Sequence, residues 1–537
     1  MNVSSLSDLP RRAVDVVTLS KSAQAFAQAN RQSWSRTDAG ASTGELLTDV
    51  TLHHPGYVLS GTVAGKHLAE AKDLNLSFLF RRYDRDISHI CQSYESANTY
   101  SIAGRLRSPS LVACALADSR RIYASVDSIA DLVDVTYDGI LIGDLIYNTY
   151  LKKHNVGTIE SLSQSVLPVI FDTVLYERYY DRLLSNNEIR AVIGAQASYA
   201  KSGVLLRLAL NEDLDVFERI FGPKRFTIRR FTDISETYNQ ANRPSDAAFE
   251  RVWTEHREQG VERSRAYFDD RLSGDDDDVI VSKAYSNDKS IIDRETLVDE
   301  LDLNPEKPIA VLMTHVFLDA AHFRGSLFRD YVTWVRETLQ HVRTDSSTNW
   351  ILKPHPGSDR FDCKHTVDGE FDQAVAGFDN HTVRIMPDDV STTAVHEIAD
   401  VVLTVRGSAG IEFPALGTPA IVASDCHYSG FGFAHEPDSK QAYFDLLDTI
   451  GDLPPLTERQ VERANVMAYL LFVLMRVPSE YIPEISKTEV DDVDKIWQRA
   501  ARLLSETSVD DSALRAKIEK FVEDDHQHLL DFDKIEL

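Results

Sequence analysis

The sequence predicts an α/β protein of two domains, the second of the Rossmann type, followed by C-terminal helices. Three observations carry that prediction. At 537 residues the chain exceeds what one hydrophobic core serves, since single cores stop growing beyond roughly 250–300 residues. From Glu306 onward, short apolar runs alternate with amphipathic helical segments, the pattern of a parallel sheet. The first half carries a weaker version of the same alternation. Hydrophobic residues make up 43% of the chain, enough apolar surface to offset chain entropy, so the bulk of it is expected to fold.

In the first half, residues 111–116, 139–143 and 191–195 read as buried strands, and 168–184 and 202–210 as helices. The run Ser-Gly-Asp-Asp-Asp-Asp at 273–278 cannot pack and reads as a solvated linker, with a metal-binding acidic loop as the alternative, which puts a first α/β domain at 1–275. In the second half the strands are expected at 309–314, 350–353, 382–385, 400–404 and 420–423. Between the first two, Tyr331, Val335, Leu339 and Val342 recur at helical spacing and form one apolar stripe. Residues 390–399 and 409–416 read as later crossover helices, completing a second domain at 276–455 of the doubly wound kind. After Pro455 the pattern turns helical, strongest at 459–475 and 490–504, giving a third segment at 456–537. The run 467–475 is apolar nearly all round, as a helix buried between other elements would be.

Composition narrows the function classes. With 57 Lys and Arg against 84 Asp and Glu, the net charge is −27, which removes any broad basic footprint for nucleic acid or an anionic bilayer. An anionic ligand must then be held by a local arrangement of donors. The acid excess fits a saline habitat and ordinary solubility equally. Cys91, Cys114, Cys363 and Cys426 are scattered without a Cys-x-x-Cys pair, which indicates neither a zinc site nor a disulfide framework and fits a reducing cytosol. The start of the chain lacks the charged and apolar segments of a signal peptide, and no run approaches the roughly 20 apolar residues of a membrane span. A cytoplasmic location is expected, with any membrane pathway served from the inner face.

Two loops are the main candidates for holding phosphate. Lys353-Pro354-His355-Pro356 follows a short buried strand, and its prolines remove backbone donors and stiffen the loop. Lys353 and His355 are then expected to project in fixed directions, suited to a mono- or diphosphate leaving group; a rigid turn with two solvated cations is the plainer alternative. Arg406-Gly407-Ser408-Ala409-Gly410-Ile411-Glu412 also follows a strand and opens a helix. Its small residues would let backbone N–H groups approach an anion at a helix N-terminus. Glu412 would meet a ribose hydroxyl or merely complement the helix dipole. The alternative is a tight turn that needs glycine for packing. Neither the Gly-x-Gly-x-x-Gly fingerprint nor a P-loop is present.

His315, Asp319 and His322 follow the first strand of the same half; their spacing makes a weak metal set, so substrate hydrogen bonding is expected of them and no metal. Three such loops at the C-terminal ends of strands of one sheet converge on one edge. In the first half Gly143-Asp144 ends an apolar run, and Asp144 is the candidate general base across the cleft, with a helix N-cap as the alternative. His53-His54-Pro55-Gly56 marks a turn.

Residues 314–322, 352–356 and 404–412, with the following Pro414-Ala415-Leu416-Gly417-Thr418-Pro419, resemble the capsule and surface-polysaccharide biosynthesis glycosyltransferases of GT-B architecture. Tyr428-Ser429-Gly430-Phe431-Gly432-Phe433, Glu436-Pro437, Tyr443-Phe444 and Asp138-Gly139-Ile140-Leu141-Ile142-Gly143-Asp144 extend the similarity over residues 138–447. The resemblance implies two Rossmann-like domains facing a cleft, residues 1–275 on the acceptor side and the nucleotide sugar bound mainly by 276–455, with a glycan or lipid-linked glycan as acceptor. It also implies His355 and Ser408 on the donor phosphate, a cytidine nucleotide being one candidate donor, with no cofactor besides the substrate. Similar His-Pro loops occur in polyol-phosphate transferases of the teichoic-acid kind, so that reaction stays open, as does a non-catalytic nucleotide-sugar-binding scaffold.

Overall fold

The computed structural model describes residues 19–34, 44–221, 226–239, 242–272, 292–378, 382–485 and 491–535. The expected linker at 273–278 lies outside them. In chain order the strands are β1 (Glu45–Asp49), β2 (Asn75–Phe80), β3 (Asn98–Ser101), β4 (Thr136–Tyr137), β5 (Ile140–Leu141), β6 (Ile189–Gly194), β7 (Asp215–Phe221), β8 (Phe226–Phe231), β9 (Ile309–Met313), β10 (Asn349–Lys353), β11 (Val383–Ile385), β12 (Val401–Thr404) and β13 (Ala420–Val422). They form one sheet of order β3-β2-β1-β6-β7-β8 and a second of order β11-β10-β9-β12-β13, with β4 and β5 as a separate hairpin. The pairs of the two large sheets are parallel except β7 with β8 at an edge. Each sheet therefore starts in its middle, winds one way and then the other, which is the Rossmann winding. The class is the expected one: α/β, with two Rossmann-like domains in a GT-B-like arrangement and C-terminal helices.

The second-half strands lie within a residue of expectation; β9, β12 and β13 are aliphatic runs buried on both faces, as parallel strands covered by helices must be, while β11 is Val-Arg-Ile with only Val383 buried. The first half needs corrections. Residues 111–116 belong to the helix Pro109–Ala124, started by the Ser108 cap and a proline in its first turn. Residues 139–143 yield only β5, which pairs back on β4 through Asp138 and Gly139 at φ 44° and 86°, and Gly143 already opens the helix Gly143–His154. Strands β1, β2, β3, β7 and β8 are not among those expected; β3 is only four residues long, β1 begins and ends on an acid, and β7 and β8 carry charged residues within their apolar runs, whereas β2 is an uncharged apolar run that could have been read. The helix expected at 459–475 runs as Glu458–Ala468 and then widens to a π-helical stretch, Tyr469–Leu474, closed by the Met475 N–H on the Leu470 carbonyl.

Packing cuts across the divisions at 275 and 455. The helices Val493–Glu506 and Ala513–Glu523 return to the first sheet, where Trp497, Leu504 and Phe521 share a cluster with Phe26, Trp34 and Phe78. Conversely the helices Asp246–Glu255 and Arg257–Leu272 pack with Ile411, Val422 and the Glu458–Leu474 segment on the second domain.

The two domains meet where the helix Gly143–His154 and its following loop press on the segment between β9 and the helix Tyr331–Val342. Tyr147 and Thr158 each donate a 2.6 Å hydrogen bond to Oδ2 of Asp330, while Oδ1 accepts the Thr333 N–H at 2.7 Å and so caps that helix. Asn148 exchanges two bonds with the backbone of His322, at 2.8 and 2.9 Å. Among the described residues no helix is long and apolar enough to cross a membrane.

Candidate functional site

In the second sheet the order of strand addition reverses between β9 and β12, and open α/β sheets take their ligands at such a switch point, beyond the strand C-termini. The loops that gather there are the ones picked from the sequence. Thr314, just past β9, holds the β10 loop beside it. Its hydroxyl donates to the Lys353 carbonyl at 3.0 Å and accepts the His355 N–H at 3.1 Å. On the other side His315 holds the β12 loop: its Nε2 accepts the Val405 N–H at 3.2 Å and lies 3.1 Å from the Thr404 hydroxyl. Burial, helped by the neighbouring His355 and Arg406, pushes the His315 imidazole down to about 3. It is a neutral brace, stacked on Tyr331 with ring centroids 4.2 Å apart.

His355 is set differently. The Gly357 N–H donates to its Nδ1 at 3.0 Å, so the neutral ring carries its proton on Nε2. Burial lowers its pKa, with the Asp319 carboxylate pulling the other way. The result is a neutral imidazole with a fixed N–H donor. Lys353 does not project with it. Its ammonium is buried, 4% exposed, and donates to the Val390 carbonyl, so it supplies charge from beneath the loop.

Past β12, the Arg406 guanidinium lies over the Phe323 ring at 4.1 Å. Gly407 closes the turn with its N–H on the Thr404 hydroxyl at 3.1 Å, and its carbonyl accepts the Tyr428 hydroxyl at 2.8 Å. A Cβ on Gly410 would stand 2.0 Å from that hydroxyl, so close packing alone demands glycine there. Ser408 and Ala409 form the head of the short helix Ala409–Ala415. Glu412 is turned away: it is 3% exposed and accepts from Arg271 at 2.9 Å.

Asp319 belongs to the domain junction. It accepts from Lys152 at 2.9 Å and from the Tyr199 hydroxyl at 2.6 Å, both on the first domain. Burial, together with the Asp319 charge, raises the Tyr199 phenol. His322 turns inward, its Nδ1 2.8 Å from the Arg329 carbonyl and its ring 5.2 Å from that of Tyr147. His315, Asp319 and His322 thus point three ways, and among the described residues no group of three or more His, Cys, Asp or Glu is placed to hold a metal ion.

Asp144 lies in the first-domain core at 2% exposure, bound by two 2.6 Å bonds to a fully buried Arg207. Arg207 also donates to the Leu141 carbonyl at 2.6 Å and the Thr237 hydroxyl at 2.9 Å. Both carboxylate oxygens are committed to this pair, away from the cleft.

Two further histidines follow strands at the C-terminal edges of the two sheets. His427, beyond β13, is pushed down to about 3 by burial and by the Arg406 charge. His53, beyond β1 on the edge facing the second domain, sits 3.8 Å from Asp84; burial lowers its pKa, with Arg82, Arg81 and Lys201 adding and Asp84 opposing. Its neighbour His54 is the N-cap of the helix Pro55–Ala71. A histidine pair ahead of a proline was the one available signal, and it reads equally well as a turn.

No family model and no curated protein matches the chain. Solved structures do align with it. A UDP-GlcNAc 2-epimerase from Neisseria meningitidis bound to UDP-GlcNAc covers 79% of this chain and 95% of its own at 9% identity, TM-score 0.24. Thermosulfurimonas dismutans KpsC, a beta Kdo 2,7 transferase, covers 60% and 88% at 16% identity, TM-score 0.32. The wall teichoic acid polymerase TagF covers 94% and 98% at 10% identity, TM-score 0.22. At such scores the chemistry has to be read from this chain's own residues.

Proposed function

We propose that the chain is a glycosyltransferase of the GT-B kind that moves a sugar from a nucleotide-activated donor to a hydroxyl of a growing cell-surface or capsular glycan. The observation that carries this reading is the meeting, at one switch point, of the His355 Nε2–H donor, the Arg406 cation and the Gly407–Gly410 turn. In the proposed reaction His355, Arg406 and the Ser408 and Ala409 amides hold the departing phosphate, donors fixed in place before charge develops. Lys353 raises the local potential from below, and His315 keeps the two loops in register. Asp319, joined to Lys152 and Tyr199, fixes how the first domain stands over the donor, which limits access of water. Glu412 and Arg271 brace the helix behind the phosphate.

With Asp144 committed to Arg207, the proposed base is His53, neutral at pH 7 and placed on the opposing sheet edge near Asp84. The donor class is a nucleotide sugar, a cytidine nucleotide being one candidate.

A thermal-shift screen of nucleotides tests the binding half, because a ligand at a hundred times its Kd stabilises by about 2.7 kcal/mol. Turnover on acceptor extracts tests the rest. His355→Ala is expected to lower kcat by about 10²–10³-fold with the fold intact, the scale of losing one oxyanion-type donor. Wild-type turnover in that variant sinks the assignment. Mass analysis of the product separates the chemistries: added phosphate on the acceptor would mean polyol-phosphate transfer, and donor binding without any product would mean a scaffold.

A further inference from the structure

The loop 155–160 leaves the first domain and seats in the second. It begins where Asn155, at φ 54°, ends the helix Gly143–His154 in the left-handed region. Its groups then find partners across the junction. The Asn155 carbonyl accepts the Lys364 N–H at 2.8 Å, and the Gly157 N–H donates to His365 Nδ1 at 3.0 Å. The Thr158 hydroxyl accepts from Arg329 at 3.0 Å while it donates to Asp330. Glu160 accepts two bonds from Arg336, at 3.0 and 3.3 Å, and Glu370 holds the same guanidinium at 2.9 Å.

The middle of the loop is buried. A Cβ on Gly157 would stand 2.5 Å from Val332 and 2.8 Å from Phe317, so the backbone itself lies against the second domain. Ile159 joins Phe317 and Val332 in a hydrophobic cluster that runs from Leu47 and Val192 of the first sheet to Leu312 of the second. Two domains of one chain move against each other by default unless the interface between them is large and apolar, and this interface is part of a shared core. The facing segment, 314–330, adds the Asp319 and His322 contacts and those of Arg324, whose N–H donates to the Tyr238 carbonyl at 3.0 Å and whose guanidinium pairs with Asp134. The same segment opens with Thr314 and His315, which hold the β10 and β12 loops.

We propose that the loop 155–160 is a fixed catch that joins the two domains into one rigid unit, so that the cleft keeps a set width and ligands enter it without a hinge opening. A packed interface of this kind is either seated or expelled and does not stretch by degrees. The loops at the second switch point are then held against the first domain before any ligand arrives. Rigidity of the frame does not depend on glycosyl transfer and would hold equally for a non-catalytic binder.

Two spin labels measure the frame in the full chain. One sits on Cys114, exposed on the helix Pro109–Ala124, and the other on Glu397→Cys, exposed on the helix Thr392–Ile398, in a Cys363→Ser background. Their distance distribution by pulsed electron paramagnetic resonance is expected to be single and narrow, and to stay in place when UDP or CDP is added. Gly157→Leu, whose side chain has no room, should expel the loop and widen the distribution at least about twofold. Thr158→Val with Glu160→Ala removes polar contacts without overpacking and should widen it in the same direction. That pair decides if circular dichroism shows that Gly157→Leu does not fold. Three outcomes overturn the proposal: a broad or double distribution in the parent, a shift of the distribution with either nucleotide, or the parent's width kept in every folded variant.

Discussion

At the residue scale, burial decides what each ionisable group can do. Asp144 and Arg207 are a fully desolvated pair whose partners are all internal, so their contribution is to join the β5 hairpin, the helix Ala200–Asn211 and residue 237. Removing one charge strands the other. Asp144→Asn is expected to cost about 3–5 kcal/mol in chemical denaturation, whereas a purely catalytic carboxylate would lower turnover and leave stability alone. The buried histidines set an acid limit. His67, His315, His427 and His528 are each held down to about 3, while in the unfolded chain they titrate near 6.5. Below that value the unfolded state binds more protons, so stability is full above about pH 6.5 and falls as pH drops toward 3. Glu177 has the opposite sign. Burial raises its carboxyl to about 8, so its contribution is present below about pH 4.5 and lost as pH rises through 8. Thermal melts across pH check both, and Glu177→Gln should raise the midpoint at pH 8 and leave it unchanged at pH 4.5. A melt independent of pH between 4 and 7 would contradict the histidine part.

At the element scale, the turn after β12 shows how little room a strand-to-helix junction leaves. Gly410 is in contact with the Tyr428 hydroxyl that holds the Gly407 carbonyl, so one close approach fixes the shape of the whole loop. Gly410→Ala is expected to destabilise by about 1–3 kcal/mol through overpacking. Adding Tyr428→Phe, which removes the clashing oxygen, should recover part of it, as a double-mutant cycle by denaturation would show. Both glycine readings from the sequence, anion cradle and packing turn, place glycine at this position, and the packing contact is visible only once Tyr428 is brought in from beyond β13. The strands of the second half were legible because aliphatic runs covered on both faces admit few other arrangements. Residues 111–116 fit a strand as well as a helix because a short apolar run suits either period, and the Ser108 cap with Pro109 decides for the helix.

At the scale of the whole molecule, the chain crosses between domains more than once, and its last helices complete the core of its first sheet. Truncation before Val493 would uncover Phe26, Trp34 and Phe78. The truncated protein is expected to lose the first domain's cooperative unfolding and to be cut there by proteases, while residues 292–453, with the intact second sheet, resist longer. Limited proteolysis followed by mass mapping decides it, and equal resistance of both halves would count against this account. The interface centred on Asp330, which serves Tyr147, Thr158 and a helix cap at once, ties domain orientation to the same loop segment that carries Asp319.

What the sequence determined by itself was whatever local pattern dictates: the second Rossmann half, the loops at its strand ends and the residue types they hold. What only the tertiary structure decided was which way those side chains turn. Lys353 went under its loop, Glu412 to Arg271, Asp144 to Arg207 and Asp319 across to Lys152 and Tyr199. The reason is physical. A strand's period and a helix's caps are set by neighbours in the chain, whereas a charged side chain follows the partner that offsets its desolvation, and for Arg207, Tyr199, Arg271 and Lys152 that partner lies 63 to 167 residues away along the chain.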